Sequence, residues 1–240
     1  MAYNELYQYS VVSALMQGLG DYGLPYKELV SHGDHGLGTF RRMDGEMIAL
    51  DGDVYQMKAD GSIIKIDTSG GSDIAPFAQL TRFQASATAD VEFKDKQGFS
   101  DALSKLLPKT KNHFVAFRVD GIFKCVAVRT AGGQFCRHES IRELHKRQTT
   151  YEFANVRGSI IGFRSPEFLQ GVGVAGDHLH FISDERDRGG HVLEVECHPD
   201  VPVKLSASVQ TKVHLEFPDD DDYQEVDLNP DSSLIKVVEG

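Results

Sequence analysis

The chain has 240 residues, and its 25 Lys and Arg against 36 Asp and Glu give a formal net charge of −11. This length suffices for one large domain or two small ones, and a composition of 40% hydrophobic and 25% charged residues excludes global disorder. So acidic a chain repels phosphate groups, which argues against nucleic acid and anionic membranes as partners.

The amino-terminal residues have neither a basic stretch nor an apolar run of the kind found in secretory or mitochondrial signals. The longest apolar runs, such as residues 11–16, are far shorter than the roughly 20 residues needed to cross a bilayer. We therefore expect a cytoplasmic protein with no membrane partner. Apolar residues at close to helical spacing predict a helix from about Asn4 to Leu19.

The middle of the chain changes from helical to strand-like patterns. Residues 36–67 contain short apolar runs separated by Asp-Gly pairs, which predicts a β-meander. A short helix is expected from Ser100 to Leu107, a hairpin around Asp120-Gly121, and a third helix from Arg137 to Lys146.

The carboxy-terminal third is strand-like again, and four strands are predicted there: Val156 to Phe163, Val172 to Ile182, His191 to Cys197, and Val203 to Phe217. These patterns predict a β-rich α/β fold of the α+β kind, with two mixed-sheet halves and few helices. Because a helical segment separates the halves, we expect domains at 1–140 and 141–240, with the boundary near 131–155.

The most informative segment contains three histidines. Residues two apart share one face of a strand, so His178 and His180 should point the same way. If the polar residues 184–190 form a hairpin loop, His191 begins the returning strand within reach of this pair. Three imidazoles with a remaining open position are typical of a catalytic zinc site, although a His-x-His face can also simply point to solvent.

The direction of His191 can also be predicted from the strand pattern. Alternation places His191 on the same face as the apolar residues Val195 and Cys197, so it should point towards the core. A buried histidine needs a partner, which favours the metal-site interpretation.

Two charged residues fall on apolar strand faces by the same test. Arg129 shares a strand face with Phe123 and Ala127, and Glu46 shares a strand face with Ile48. A buried charge is costly without a partner, so these residues either belong to a site, pair with each other, or sit at strand ends in water. Other histidines have no clustered partner in sequence: His113 and His145 are interpreted as structural or exposed, and His35 as pocket rim or surface.

Together these motifs resemble those of the α-acetolactate decarboxylase family. The resemblance spans nearly the whole chain and rests on five blocks: Gly36–Phe40, Met43–Ile48 with Leu50–Gly52, Val128–Thr130, Gly176–His180 with His191, and Glu239. His35 stands where the family usually has an apolar or aromatic residue, and Met43 replaces the commoner leucine.

The resemblance implies a site as well as a fold. It implies that His178, His180 and His191 are the ligands of a zinc ion. It also places four residues around the metal: Thr39, Glu46, Arg129 and Glu239. On this resemblance, Thr39 and Arg129 contact the substrate, and either Glu46 or Glu239 delivers a proton to the product. Glu46 is the favoured donor, with Glu239 closing the site or adding a ligand.

The reaction implied is the decarboxylation of (S)-2-acetolactate, a small molecule, to (R)-acetoin and carbon dioxide in the acetoin and butanediol pathway. The substrate can chelate Zn²⁺ through two oxygens, and loss of carbon dioxide leaves an enediolate whose charge the metal stabilises. No organic cofactor is then needed. The family resemblance further implies a homodimer.

Two alternatives remain open at this stage, one of them another enzyme and the other not an enzyme. A cupin-like metal-dependent dioxygenase or isomerase would use the same His-x-His pair with iron or manganese. It would need a carboxylate ligand shortly afterwards, for which Glu185 is the candidate although it falls in the expected turn. A non-catalytic binding protein with a metal-stiffened hairpin would tolerate changes at Glu46 and Arg129.

Overall fold

The structure, a computed structural model, describes residues 1–70 and 73–229, so Glu239 lies outside the described residues. As predicted, the fold is β-rich with few helices. The strands are β1 Leu6–Tyr9, β2 Leu24–Pro25, β3 His35–Thr39, β4 Glu46–Leu50, β5 Asp53–Met57, β6 Ile63–Lys65, β7 Ile74–Ala75, β8 Ala78–Thr81, β9 Ala87–Val91, β10 Phe114–Thr130, β11 Thr149–Ser165, β12 Gly176–Ser183, β13 Gly189–Cys197, β14 Val203–Gln210 and β15 Val213–Glu216.

The helices are short, apart from one of three turns. They are α1 Val12–Met16, α2 Tyr26–Leu29, α3 Lys96–Leu106, α4 Ile141–His145 and α5 Asp221–Glu225, with single 3₁₀ turns at Arg41–Met43 and Glu167–Leu169. In the described ranges, no helix is both long and apolar enough to span a membrane.

The first sheet has the strand order β15-β1-β8-β3-β4-β5-β6 across the described part of the chain. The pair β1–β15 is parallel and the other pairs are antiparallel. The predicted meander is confirmed as β3 to β6. Its second turn is Asp51-Gly52, where φ is +55° and +87°, and Leu50 pairs directly with Asp53. Two central residues with positive φ form the hairpin turn that the Asp-Gly pair favours.

The predicted amino-terminal helix is wrong over its first half. Residues 6–9 form β1, between β8 and β15, and the helix α1 covers only Val12–Met16. The strand is favoured over a helix because it lets the buried Gln8 side chain make three hydrogen bonds. Its amide group donates to the carbonyls of Ser10 and Val172 and accepts from Gln79. Such long-range partners have no signal in local sequence spacing.

The second sheet has the order β11-β12-β13-β10-β14-β9, and β10 also pairs with β11, so four of its described strands close into a ring. The hairpin predicted at Asp120-Gly121 is wrong, because β10 runs through it for 17 residues. The Asp120 carboxylate instead accepts hydrogen bonds from Arg118 and Ser159. A Cβ on Gly121 would lie 2.6 Å from Val203, so glycine here allows close strand packing rather than a turn.

The last predicted strand, residues 203–217, is divided between the two sheets. β14 pairs with β10 in the second sheet, whereas β15 pairs with β1 in the first. Conversely, β9 and β10 precede residue 131 but belong to the second sheet. The domains 1–140 and 141–240 stay a prediction, and sheet membership does not change at a single point along the chain.

Two apolar clusters explain where a site can form. One lies inside the ring and includes Phe117, Phe123 and Phe181. Another joins the two sheets and contains Ile48 of β4 together with Ile182 of β12. The strands β4 and β12 therefore face each other, and side chains from both sheets meet between them.

Candidate metal centre and pocket

Three charged or metal-ligating residues lie side by side on neighbouring strands of the second sheet. His180 of β12 is the direct cross-strand partner of His191 of β13, which is in turn the partner of Arg129 of β10. On β12, Leu179 and Phe181 point into the ring, so His178 and His180 share the opposite face. The hairpin predicted from the histidine spacing is therefore confirmed.

The face of His191 was predicted wrongly, because β13 contains a bulge. Val128 pairs with Val192 whereas Ala127 pairs with Glu194, which leaves one extra residue on β13. Val192 consequently points into the ring core, and His191 points away from that core towards β4. Alternation alone cannot locate such a bulge.

The three histidines form a candidate metal site. One ligand atom from each of His178, His180 and His191 lies within 4.8 Å of the others, and the residues are 7%, 0% and 2% exposed. Burial, with the nearby positive charge of Arg129, lowers the pKa of His178 and His191 well below the usual value, and burial lowers that of His180 to about 4. All three rings are thus neutral at pH 7, as metal coordination requires.

The orientation of His180 fits a metal ligand. Its Nδ1 lies 2.7 Å from the backbone carbonyl of Met47, which can only accept, so Nδ1 carries the proton and donates. The unprotonated Nε2 is buried and has no hydrogen-bond partner in residues 1–70 and 73–229. A histidine held by a backbone carbonyl on one nitrogen, with a lone pair on the other, is the usual arrangement around zinc.

Arg129 approaches the same group from β10. Its side chain is 6% exposed, and Nη2 lies 3.2 Å from Nε2 of His191. A guanidinium group only donates hydrogen bonds, so Nε2 of His191 accepts and carries no proton; a metal ligated by this nitrogen would take the place of that hydrogen bond.

Glu46 and Thr39 come from the first sheet, where they are cross-strand partners. Oε2 of Glu46 is 3.6 Å from Nε2 of His180, and Oε1 is 3.4 Å from the amide nitrogen of Ala131. The Thr39 hydroxyl donates to the carbonyl of Gly45 at 2.8 Å, which leaves its oxygen lone pairs available to accept. The two sheets thus bring together residues that are about 130 positions apart in the chain.

Apart from His180, these residues line a pocket of about 660 Å³, a volume that includes its opening to solvent. Its polar lining contains Thr39, Glu46, Arg129, His178 and His191. Its apolar lining comprises Val12, Leu15, Met43, Phe77, Ile141 and Leu144. A small-molecule site commonly combines such an apolar wall with a few convergent polar groups.

The other candidate residues lie at several different places relative to the pocket. Glu239, predicted near the metal, lies outside the described residues. Glu185 is exposed in the turn between β12 and β13. His145 and Gln148 line the pocket although sequence analysis did not select them, because neither has a clustered partner in sequence. His35 is buried, not at a rim or surface, and its ring stacks on Phe83.

Comparison with known proteins gives a consistent result. A family profile described as "Alpha-acetolactate decarboxylase" matches residues 6–230. A protein of that name from Methanosarcina mazei is 42% identical over 192 residues, which are 80% of this chain and 65% of the relative. Another from Bacillus subtilis is 34% identical over 240 residues, covering 99% of this chain and 91% of the relative.

Solved structures agree with this comparison. The crystal structure of alpha-acetolactate decarboxylase from Bacillus subtilis strain 168 has a TM-score of 0.91 and 32% identity, over 98% of this chain and 99% of that one. A Staphylococcus aureus protein described as of unknown function and similar to alpha-acetolactate decarboxylase has a TM-score of 0.89 and 30% identity, over 98% of this chain and 100% of that one.

Proposed function

The chain belongs to the alpha-acetolactate decarboxylase family, and we propose that it converts (S)-2-acetolactate to (R)-acetoin and carbon dioxide with the help of zinc. The observation that carries the proposal is the group of three neutral, buried histidines, two of which line one pocket together with Arg129 and Glu46. A metal-only site without an organic cofactor suits this reaction, since a cation can accept the electron density released as carbon dioxide leaves.

His178, His180 and His191 would hold the zinc ion. The buried, unprotonated Nε2 of His180 supports this, because a lone pair without a donor is costly in the interior unless an ion uses it. Three nitrogen ligands leave positions for substrate oxygens, which is typical of catalytic zinc. When bound, zinc would supply a Lewis acid that offsets negative charge developing on the substrate.

Arg129 would orient the oxygens of the substrate and offset the negative charge that develops on them as carbon dioxide leaves. Its planar set of donors matches the spacing of two oxygen atoms, and its burial strengthens the interaction by excluding water. Thr39 would accept a hydrogen bond from the substrate hydroxyl, since its own proton is donated to Gly45.

Glu46 is the proposed proton donor to the carbon from which carbon dioxide leaves. It lines the pocket from the first sheet, whereas the histidines and Arg129 come from the second, so it can reach one face of a substrate held between them. Delivery from one face sets the (R) configuration of the product. Glu239 is proposed to close the site or to add a ligand, on the family resemblance alone.

Three further parts of the proposal also derive from the family. They are a role in the acetoin and butanediol pathway, a homodimeric assembly and a cytoplasmic location. Chiral chromatography of the product tests the stereochemistry, and light scattering of the purified protein tests the assembly.

The decisive experiment measures acetoin and carbon dioxide from racemic acetolactate with protein as purified, after chelation and after zinc is restored. Turnover that disappears and returns with zinc supports the reaction and its metal together. A sample with one equivalent of bound zinc and no turnover overturns the proposed reaction. Full turnover by the chelated, metal-free protein overturns the proposed role of zinc.

A further inference from the structure

The pocket has a second polar region that the proposed function does not use. It lies on α4 and the residues that follow it, where Ile141, Leu144, His145 and Gln148 all line the pocket. None of the proposed metal ligands, nor Arg129 or Glu46, comes from this segment. A polar residue placed on an otherwise apolar wall calls for a ligand or a structural partner.

His145 has no structural partner for one of its ring nitrogens. Its Nδ1 is buried and makes no hydrogen bond within the described ranges 1–70 and 73–229. A buried nitrogen of this kind costs free energy unless a ligand or another group bonds to it.

The position of His145 is fixed by its neighbours. Leu144 is 2% exposed and packs in the cluster that contains Leu15 and Phe77. On the other side, Nη1 of Arg147 lies 2.6 Å from Oε1 of Glu139, and this pair holds the end of α4 to the preceding loop. His145 is therefore held at the pocket wall by contacts on both sides.

We propose that His145 donates a hydrogen bond to the carboxylate of the substrate and so decides its orientation, an inference that rests on the proposed function. If the hydroxyl and ketone oxygens lie at the histidine end of the pocket, the carboxylate is the group that remains to be bound elsewhere. His145 provides the donor, and Ile141 and Leu144 provide an apolar surface beside it.

This arrangement suits the loss of carbon dioxide. A carboxylate held by several strong cationic contacts would be stabilised more in the ground state than in the transition state, where its charge is leaving. A single imidazole donor orients the group with less of this penalty. The neutral product then faces apolar side chains, which favours its release.

The test uses calorimetry to measure the affinity of the zinc-loaded protein for each of two small ligands. One is 2,3-dihydroxy-2-methylbutanoate, which has two neighbouring hydroxyls and a carboxylate and, lacking the ketone, does not lose carbon dioxide; the other is acetoin, which lacks the carboxylate. His145→Leu should weaken binding of 2,3-dihydroxy-2-methylbutanoate by about tenfold, and acetoin binding should change by less than about twofold. His145→Asn, which retains a donor close to the position of Nδ1, should recover most of the affinity.

His113 offers the matched control, because it is an exposed histidine outside the pocket, and His113→Leu should bind both ligands like the wild type. Equal weakening of both ligands in His145→Leu, or unchanged binding of 2,3-dihydroxy-2-methylbutanoate, overturns the proposal. The binding test needs no turnover. A wild type that binds both ligands but does not decarboxylate acetolactate therefore fails the proposed function separately from the role of His145.

Discussion

The backbone carbonyl of Met47 determines which nitrogen of His180 carries the proton. Because a carbonyl only accepts, the 2.7 Å contact fixes the Nδ1–H form and leaves the Nε2 lone pair 3.6 Å from Glu46. The role of His180 therefore depends on a main-chain atom of the other sheet. Substitution at Met47 would leave that carbonyl in place, so only movement of β4 can disturb it.

Glu46→Gln tests the proton donor. Glutamine has nearly the same shape but cannot release a proton, so we expect kcat to fall by at least ~100-fold with zinc still bound. Steady-state kinetics together with metal analysis check this. A variant with wild-type kcat and one equivalent of zinc would contradict the assigned role.

Arg129→Lys tests the second charged residue of the pocket. Lysine keeps the charge but loses the planar set of donors, so we expect a loss of at least ~100-fold in kcat/KM. The folded state should be retained, which thermal unfolding checks. Wild-type activity in both this variant and Glu46→Gln would refute the roles assigned to the two residues.

For single side chains, strand alternation predicts part of the site correctly. It places His178 and His180 together, because β12 is regular. It fails for His191, because the bulge in β13 depends on pairing with β10 and has no sequence signal. His145 was missed for a related reason, since only the tertiary fold brings α4 to the pocket.

Among the secondary-structure elements, β11 and β12 approach each other closely at Gly162. A Cβ there would lie 2.0 Å from the backbone oxygen of His178 and 2.7 Å from Phe117. Both atoms are in packed positions, since Phe117 is fully buried. Glycine at this position thus sets the spacing of the strand that carries two of the proposed ligands.

Gly162→Ala should therefore affect both stability and metal binding. We expect the free energy of unfolding to fall by about 1–3 kcal/mol, as for overpacked cores, and zinc affinity to fall as β12 shifts. Urea unfolding and zinc titration measure the two effects. Gly70→Ala is the control, because the nearest atom to its Cβ would be 3.8 Å away. Unchanged stability and zinc affinity in Gly162→Ala would contradict this account of β12.

Elements were predicted well where a short-range signal decides them. The Asp-Gly pair at Asp51-Gly52 forms its turn because both residues adopt positive φ. The equivalent pair at Asp120-Gly121 does not, because β10 pairs with β11 and β14 on both sides of it. Residues 6–9 likewise become a strand through partners at 78–80 and 213–216. Long-range pairing, which sequence spacing does not encode, decides these cases.

For the whole molecule, His35 joins the two sheets in the interior. Its ring stacks on Phe83 with centroids 4.6 Å apart and meets the edge of Phe163 in β11 at 5.9 Å. Burial, with a smaller effect of Arg118, lowers the pKa of His35 to about 3. Protonation therefore favours the unfolded chain, in which the pKa is near the usual value of about 6.5.

These two pKa values, for the folded protein and for the unfolded chain, determine how stability changes with pH. The contribution of His35 to stability is complete above pH ~6.5 and is lost as the pH falls towards about 3. His35→Phe, which keeps an aromatic ring without a titrating group, should gain about 2–3 kcal/mol relative to the wild type between pH 7 and pH ~4.5. Urea unfolding of both proteins at the two pH values measures the difference. An equal loss of stability in both proteins would rule out His35 as a source of acid sensitivity.

The ring of β10 to β13 has a consequence for the rigidity of the site. A row of cross-strand neighbours starts on β11 at Thr150, crosses Arg129, His191 and His180, and returns to β11 at Ile161. The offset between Thr150 and Ile161 along β11 is the shear of a closed sheet, and it links the registers of all four strands. One strand cannot slip without moving the others. The protein thus holds its three imidazoles in register before any ion arrives, and ion capture should require little ordering of the chain.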